Sequence, residues 1–251
     1  MSPQILALHA HPDDLETLAA GALALLAKDG AQITMATLTA GECGAISKDR
    51  ERTAATRRAE AQEAAALIGA RYICLGEPDL GVFSDDRTRR RVVDLIREVR
   101  PDIVMASPPQ DYHPDHEATG VLARDACFAA SVPGYDAGEH VPLTTIPHLY
   151  WIAPMSGGIG KVRGDLGEFV VDISNVIEVK RRMLSAHRSQ AEWLQQQHGI
   201  IDFIATMEAE SRRTGQAVGV TYAETYRQYR GHPFPRSPRL QELLKSQLRA
   251  I

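Results

Sequence analysis

The chain has 251 residues, of which 44% are hydrophobic and 24% are charged, as in an ordinary globular domain. Its formal net charge of −4 supplies no basic field for a phosphate backbone, which argues against general nucleic-acid binding. The three cysteines are too few for a disulfide framework, and no apolar run reaches the ~20 residues that span a bilayer. We therefore expect a single domain over residues 1–251, located in the cytoplasm and without a membrane partner.

The first half of the chain alternates short apolar runs with amphipathic segments. Strands are predicted at Gln4–Leu8, Ile33–Leu38, Tyr72–Leu75 and Ile103–Ala106. Helices are predicted at Leu15–Lys28, Arg52–Ile68, Arg87–Val99 and Pro114–Ala130. This alternation predicts an α/β protein with a Rossmann-like three-layer fold, in which a mostly parallel sheet lies between two layers of helices.

The alternation weakens after residue 130. We interpret residues 1–130 as the Rossmann-like core and residues 131–251 as a C-terminal extension of strands and helices. The extension is predicted to contain strands at His148–Ile152 and Phe169–Ile173 and helices at Asn175–His187, Gln190–Glu210 and Tyr222–Tyr229. Gly199 marks a point at which the second of these helices can break.

The sequence His-Pro-Asp occurs twice, each time in the segment that follows a predicted strand. The first copy is His11-Pro12-Asp13-Asp14, after strand one, and the second is His113-Pro114-Asp115-His116, after strand four. In doubly wound sheets the chain returns to the other side of strand one at a switch point, and ligands bind beyond the carboxyl ends of the strands there. We therefore expect the two motifs to face each other across one crevice.

Imidazole and carboxylate groups are the ligands that zinc and similar metals select. A lone His-Pro-Asp is more often a turn whose aspartate caps a helix, but two copies after two strands favour a metal site. We predict that His11, Asp14 and His116 bind Zn²⁺ and leave one position for water, although Fe²⁺ and cobalt accept similar ligands. A zinc-bound water has a pKa of about 7, and the ion polarises a carbonyl group. Both properties suit amide hydrolysis.

The remaining residues of the two motifs are candidates for catalysis. Asp13, next to the predicted ligand Asp14, is expected to take the proton from the water and pass it to the departing amine. His113 is expected to stabilise the oxyanion in its protonated form, with Asp115 holding it in that state and orientation. Asp115 can alternatively act as a helix cap, and the sequence leaves both interpretations open.

These motifs resemble the hallmarks of the PIG-L/LmbE-like family of zinc-dependent N-acetylglucosaminyl deacetylases. The hallmarks match Ala10–Asp14 and His113–His116, and weaker likeness covers Arg57–Glu60, Asp79 and His187–Gln190. The resemblance implies the same roles for the predicted ligands, for Asp13 and for His113 with Asp115. It also implies a small amino-sugar substrate and a homo-oligomer.

Three residues are candidates for contact with the substrate. The resemblance implies that Arg57 holds substrate hydroxyls and that Asp79 has a similar task; without it, Arg57 would be interpreted as an exposed helix charge. Tyr112 can donate a hydrogen bond to a sugar or to the oxyanion, or it can be a buried tyrosine beside the turn. His9 is expected to be a packing histidine in the core. His187 is expected to be a capping or packing histidine, and the alternative is that it lines the site in a pocket completed by a partner.

Other functions fit the sequence less well than a metal-dependent N-deacetylase. A nucleotide-binding oxidoreductase would need a Gly-x-Gly-x-x-Gly loop where His-Pro-Asp-Asp stands. A metal-dependent phosphoesterase uses similar ligands, but such enzymes usually assemble more carboxylates for a second metal. A non-catalytic sugar- or metal-binding module is the third alternative. It would need neither a proton acceptor such as Asp13 nor an oxyanion partner such as His113.

Overall fold

The elements of the chain follow the alternating order that the sequence predicts. The computed structural model describes residues 2–155, 168–199 and 202–249. Strands β1 to β8 lie at Gln4–His9, Gln32–Thr39, Arg71–Glu77, Ile103–Ala106, His148–Ile152, Glu168–Asp172, Ala223–Gln228 and Leu248–Arg249. Helices α1 to α9 lie at Asp14–Leu18, Ala20–Lys28, Arg50–Ala66, Asp86–Val99, Pro114–Ala130, Ile177–Ser185, Arg188–His198, Phe203–Ala217 and Arg239–Leu243.

Within the described residues these strands form one sheet in the order β3-β2-β1-β4-β5-β7-β6-β8. The first five strands in this order, β3, β2, β1, β4 and β5, are parallel to one another. Strands β7, β6 and β8 follow, and each of them pairs antiparallel with the strand before it. Strand β1 pairs with β2 on one side and with β4 on the other, with Leu8 opposite Ala106 at its carboxyl end. The predicted α/β fold and the predicted adjacency of strands one and four are therefore confirmed.

The two faces of the sheet carry separate apolar cores. Alternate residues of β1 point to opposite faces, so that Ile5 and Ala7 join one core while Leu6 and Leu8 join the other. All four are fully buried. Helix α2 packs on the first face, and helices α4 and α5 pack on the second, which produces the predicted three layers.

The predicted helix over Leu15–Lys28 is wrong as a single element, because it divides at Ala19 into α1 and α2. The carboxylate of Glu224 accepts hydrogen bonds from the backbone N–H groups of Gly21 and Ala22, at 2.9 and 2.8 Å. Lys180 donates to the same carboxylate at 2.6 Å. The start of α2 leaves backbone N–H groups without a partner inside the helix, and the carboxylate of Glu224 accepts hydrogen bonds from two of them.

The extension differs from its prediction in three elements: α9 and β8 were not predicted, and one predicted helix is a strand. Tyr222–Tyr229 was expected to be helical, but Ala223–Gln228 is the strand β7, hydrogen-bonded between β5 and β6. Pairing with two strands that are distant in the sequence outweighs the local pattern. The expected break at Gly199 is confirmed, since α7 ends at His198 and Gly199 has a φ of 67°. Residues 200–201 of the predicted second helix lie outside the described residues.

No helix in the described part of the chain is long and apolar enough to cross a bilayer. The single domain over residues 1–251, the cytoplasmic location and the homo-oligomer stay predictions. The fold brings the carboxyl ends of β1 and β4 side by side, and this arrangement bears on the expectation that the two His-Pro-Asp motifs face each other.

Candidate active site

The two His-Pro-Asp motifs meet beyond the carboxyl ends of β1 and β4. Nδ1 of His11, Oδ2 of Asp14 and Nε2 of His116 form a triangle in which each side measures 3.3 Å. A tetrahedral metal bound at roughly 2.0–2.1 Å separates its nitrogen and oxygen ligands by roughly 3.3–3.4 Å. The three donor atoms therefore have the spacing that one zinc-sized ion requires.

In His11 and in His116, the ring nitrogen that lies outside the donor triangle is close to a carboxylate. Nε2 of His11 lies 3.1 Å from Asp79 and 3.3 Å from Asp115, and Nδ1 of His116 lies 3.1 Å from Asp111. A carboxylate that accepts the second N–H of a histidine fixes its tautomer and leaves the other nitrogen free to bind a metal. These carboxylates thus direct Nδ1 of His11 and Nε2 of His116 into the donor triangle.

The acidic surroundings stabilise positive charge between the donors. Burial by itself would lower the pKa of His116, but the charge of Asp14 and the hydrogen bond with Asp111 raise it to about 9. Burial would raise the pKa of Asp79, whereas its hydrogen bond with His11 lowers it to about 2. Such a cluster favours a cation over a neutral or anionic group.

Other combinations of side chains in this region also come close enough to share an ion. They are His11 with His113 and His116, His9 with Asp14 and His116, and His11 with Asp79 and Asp115. In the second group, Nδ1 of His9 lies only 2.6 Å from Oδ2 of Asp14, which is a hydrogen-bond distance and shorter than the separation of two ligands on one metal. His9 therefore orients the carboxylate of Asp14.

Asp13 lies beside the donor triangle in a backbone conformation that is uncommon for a residue with a side chain. Its φ of 87° is in the left-handed region, and its carboxylate accepts a hydrogen bond from Nη2 of Arg57 at 3.1 Å. Burial raises the pKa of Asp13 to about 6, against the opposing charge of Arg57. A carboxylate with a pKa in this range is ionised at neutral pH and still able to accept a proton.

Arg57 is buried, so the interpretation as an exposed helix charge is wrong. Its guanidinium donates to the backbone carbonyls of Gly41 and Pro12, both at 2.7 Å, and to Asp13. The side chain is 4% exposed. These contacts join three separate segments of the site and leave Arg57 directed at Asp13.

His113 is half-buried and its ring lies against the two predicted histidine ligands, with centroids 4.8 Å from both His11 and His116. Its Nδ1 accepts a hydrogen bond from the backbone N–H of Asp115 at 3.2 Å. Burial, followed by the charges of His11 and His116, lowers the pKa of His113. The expected protonated form is therefore not favoured, and the acceptor role of Nδ1 places the ring proton on Nε2.

The carboxylate of Asp115 does not have the contacts expected of a partner for His113. It lies against His11 and accepts hydrogen bonds from the backbone N–H groups of Leu80, at 2.8 Å, and Val82, at 3.3 Å. Only its backbone N–H supports His113. The reason is geometric: in the first turn of α5, the Asp115 side chain points back toward β1 and the loop after β3.

Tyr112 lies at the edge of the site and is not a buried tyrosine. The residue is 68% exposed, and its ring meets the rings of His113 and His116 edge-on, at 6.1 and 5.5 Å. Asp79, in contrast, is 8% exposed and accepts a hydrogen bond from the backbone N–H of Cys43. Of the three residues predicted to contact substrate, only Tyr112 presents a free surface.

Sequence reasoning missed the roles of His9 and Asp111. His9 was interpreted as a packing histidine, although it stands two residues before His11, and Asp111 was given no role. The spacing of His9 and the position of Asp111, five residues before His116, were available as signals, because metal ligands are usually held by a hydrogen-bond partner and a carboxylate is a common partner for histidine. His187 is buried as expected, but its Nε2 lies 3.2 Å from Glu16, beside the first motif.

Comparison with known proteins identifies similar sequences and a similar fold. The family model described as "PIG-L: GlcNAc-PI de-N-acetylase" matches residues 6–127. A 1D-myo-inositol 2-acetamido-2-deoxy-alpha-D-glucopyranoside deacetylase of Rhodococcus opacus is 30% identical over 241 residues, which cover 74% of this chain and 81% of that protein. The 4-oxalmesaconate hydratase of Pseudomonas putida is 33% identical over 157 residues, covering 59% of this chain and 60% of that protein. The structure of N,N'-diacetylchitobiose deacetylase from Pyrococcus horikoshii superposes with a TM-score of 0.76 at 23% identity, covering 93% of this chain and 87% of that one.

Proposed function

The chain belongs to the PIG-L family, and we propose that it is a metal-dependent N-deacetylase that hydrolyses the acetamide of an N-acetylglucosamine-type sugar or sugar conjugate. The observation that carries the proposal is the triangle of His11, Asp14 and His116 with 3.3 Å sides, beside which lie Asp13 and His113. The deacetylase of Rhodococcus opacus, which acts on an acetamido sugar by its name, supports the choice of substrate.

His11, Asp14 and His116 would hold the ion, which we propose to be Zn²⁺, with Fe²⁺ as the alternative that similar ligands accept. When bound, the ion would lower the pKa of a water molecule and polarise the carbonyl of the amide. Asp79, Asp115 and Asp111 keep the two histidines in the tautomers that bind it.

Asp13 acts as the general base. Arg57 fixes the position of its carboxylate, and the pKa near 6 permits it to take a proton from water at neutral pH. The same carboxyl group then donates that proton to the amine that leaves. The carboxylate of Asp13 contacts Arg57, whereas that of Asp14 contacts His9, His11 and His116, so that adjacent residues perform different tasks.

His113 donates a hydrogen bond to the oxyanion of the tetrahedral intermediate from Nε2. Its neutral form suffices for this step, because the backbone N–H of Asp115 occupies Nδ1 and leaves the proton on the other nitrogen. Asp115 thus contributes to the orientation of both His113 and His11.

Tyr112 offers its exposed ring to the sugar at the edge of the site. For Arg57 and Asp79 we propose positioning roles, because both Nη atoms of Arg57 and the carboxylate of Asp79 are buried and engaged with protein groups. This assignment differs from the substrate-binding roles that the family resemblance implies.

Hydration of a carbon–carbon double bond is the second candidate, because the similar Pseudomonas putida protein is named a hydratase. That protein's name describes a carboxylate substrate. Five carboxylates lie in the site here, those of Asp13, Asp14, Asp79, Asp111 and Asp115, and one guanidinium faces them. Even with a divalent ion, the site remains net negative and disfavours an anion. The same argument disfavours a phosphate ester and supports a neutral amide.

The test is acetate release from a panel of N-acetylglucosamine conjugates by the purified protein, compared with phosphate esters and unsaturated carboxylic acids. We expect turnover of the acetamido sugars only, loss of turnover after chelation and recovery with Zn²⁺. Equal turnover by metal-free protein, or preference for either anionic class, would contradict the proposal.

A further inference from the structure

The segment His187–Gln190 connects the C-terminal extension to the half of the chain that carries both metal motifs. Each of its four residues contacts a different residue of that half. His187 lies against Glu16, Arg188 pairs with Glu63, Ser189 donates to Glu60, and Gln190 donates to Gly44. The proposed reaction assigns no role to these contacts.

Gln190 holds a tight turn. The residue is 2% exposed, and its side-chain Nε2 donates to the carbonyl of Gly44 at 3.0 Å. The N–H of Gly44 donates in turn to the carbonyl of Gly41 at 3.0 Å, which closes the turn over residues 41–44. Gln190, which lies on α7, therefore holds the last residue of this turn in place through a side-chain hydrogen bond.

The turn packs directly on the guanidinium of Arg57. Nη1 donates to the carbonyl of Gly41 at 2.7 Å, and a Cβ at Gly41 or at Gly44 would collide with this nitrogen. Gly41 also has a φ of 67°, which favours glycine. Any outward movement of the turn would remove one of the acceptors of a buried guanidinium.

Ser189 fixes the helix that carries Arg57. Its N–H and its hydroxyl donate to the two carboxylate oxygens of Glu60, at 2.9 and 2.6 Å. Glu60 lies three residues after Arg57 on α3 and is 6% exposed. The adjacent pair Ser189 and Gln190 thus holds both the helix behind the guanidinium and the turn in front of it.

We propose that Gln190 is a positioning residue for deacetylation: it holds the turn over residues 41–44, and through it the Arg57 guanidinium, against the carboxylate of Asp13. Ser189 assists by holding α3. The inference rests on the proposed function, because it concerns the position of the proposed base. Its structural part, the dependence of the turn on Gln190, can be measured without any activity.

Hydrogen–deuterium exchange over residues 41–48 tests the structural part. The variant is Gln190→Met, which keeps the length of the side chain and removes the donor, and the control is Arg188→Ala, which removes a neighbouring but exposed ion pair. We expect exchange of the Gly44 amide to be about tenfold faster in Gln190→Met and unchanged in Arg188→Ala. Unchanged protection in Gln190→Met would overturn the inference. If Gln190→Met fails to fold, Gln190→Ala, which also lacks the donor, replaces it.

A double-mutant cycle tests the route through Arg57. Gln190→Met should lower kcat about tenfold, change KM less than about twofold and retain the bound metal. In an Arg57→Ala background the same substitution should have no further effect on kcat, because the connection is already broken. Equal losses in both backgrounds would show that Gln190 acts independently and would overturn the inference.

The two experiments separate the inference from the proposed function. If the wild-type protein released no acetate, the proposed function would fail, while the exchange experiment would still report whether Gln190 holds the turn. If acetate were released and Gln190→Met had wild-type kcat, only the inference would fail.

Discussion

Nδ1 of His11 and Nε2 of His116 lie 3.3 Å apart, although 105 positions separate the two histidines along the chain. The register of the sheet explains this proximity, because Leu8 at the end of β1 pairs with Ala106 at the end of β4. The first motif begins two residues after the end of β1, and the second begins seven residues after the end of β4. The proposed metal site is thus a direct consequence of the parallel pairing of two strands.

Replacing Asp13 with Asn should separate catalysis from metal binding. The amide cannot accept a proton, so we expect kcat to fall by about 100- to 10,000-fold, while metal content stays at the wild-type level because the donor triangle is intact. Elemental analysis and acetate release on the same preparation provide the measurement. Wild-type kcat in this variant would show that another group is the base.

Replacing Asp111 with Ala should weaken metal binding although Asp111 is not a proposed ligand. His116 would lose the acceptor that fixes its tautomer, and we expect the affinity for Zn²⁺ to fall by about 10- to 100-fold. Competition with a chromogenic chelator measures this affinity. Asp136→Ala, at an exposed aspartate, is the control and should bind Zn²⁺ as the wild type does. Equal affinities in both variants would argue against a role for Asp111.

Replacing Tyr112 with Ala should raise KM for the sugar about three- to tenfold, because the exposed ring is proposed to contact the substrate. Its effect on kcat should be smaller. Tyr112→Phe distinguishes the ring from the hydroxyl group: a wild-type KM assigns the contact to the ring, and a raised KM assigns it to the hydroxyl. An unchanged KM in Tyr112→Ala would remove this residue from the binding site.

Replacing Glu224 with Ala should reduce stability without touching the active site. The buried Lys180 ammonium would lose its partner, and the free energy of unfolding should fall by about 3–5 kcal/mol. Lys180→Met should cost less, because the Glu224 carboxylate keeps its donors from Gly21, Ala22 and Tyr226. Urea denaturation measures both variants. A larger loss in Lys180→Met than in Glu224→Ala would contradict this explanation of the break between α1 and α2.

Much of the core could be predicted because its information is local. Apolar runs of four to eight residues define β1, β2, β3 and β4, and capping and glycine signals define most of the helices between them. The two His-Pro-Asp copies then identify the candidate ligands by residue type and by position after a strand. The predicted α/β topology places strands one and four next to each other, and it therefore predicts that the two motifs lie close together.

The contacts that the sequence did not predict join residues that are far apart along the chain. The orientation of the Asp115 carboxylate toward His11 and the pairing of β7 with β5 and β6 both depend on neighbours supplied by distant elements.

The sequence alone determined which strands end in histidine and aspartate, since strand periodicity and residue type are properties of neighbouring positions. Only the tertiary structure decided which oxygen faces which nitrogen, and that Gln190 lies over the turn beside Arg57. The physical reason is that hydrogen bonds depend on distances of a few ångströms between separate elements. Those distances are fixed by packing and by sheet register, and no local pattern records them.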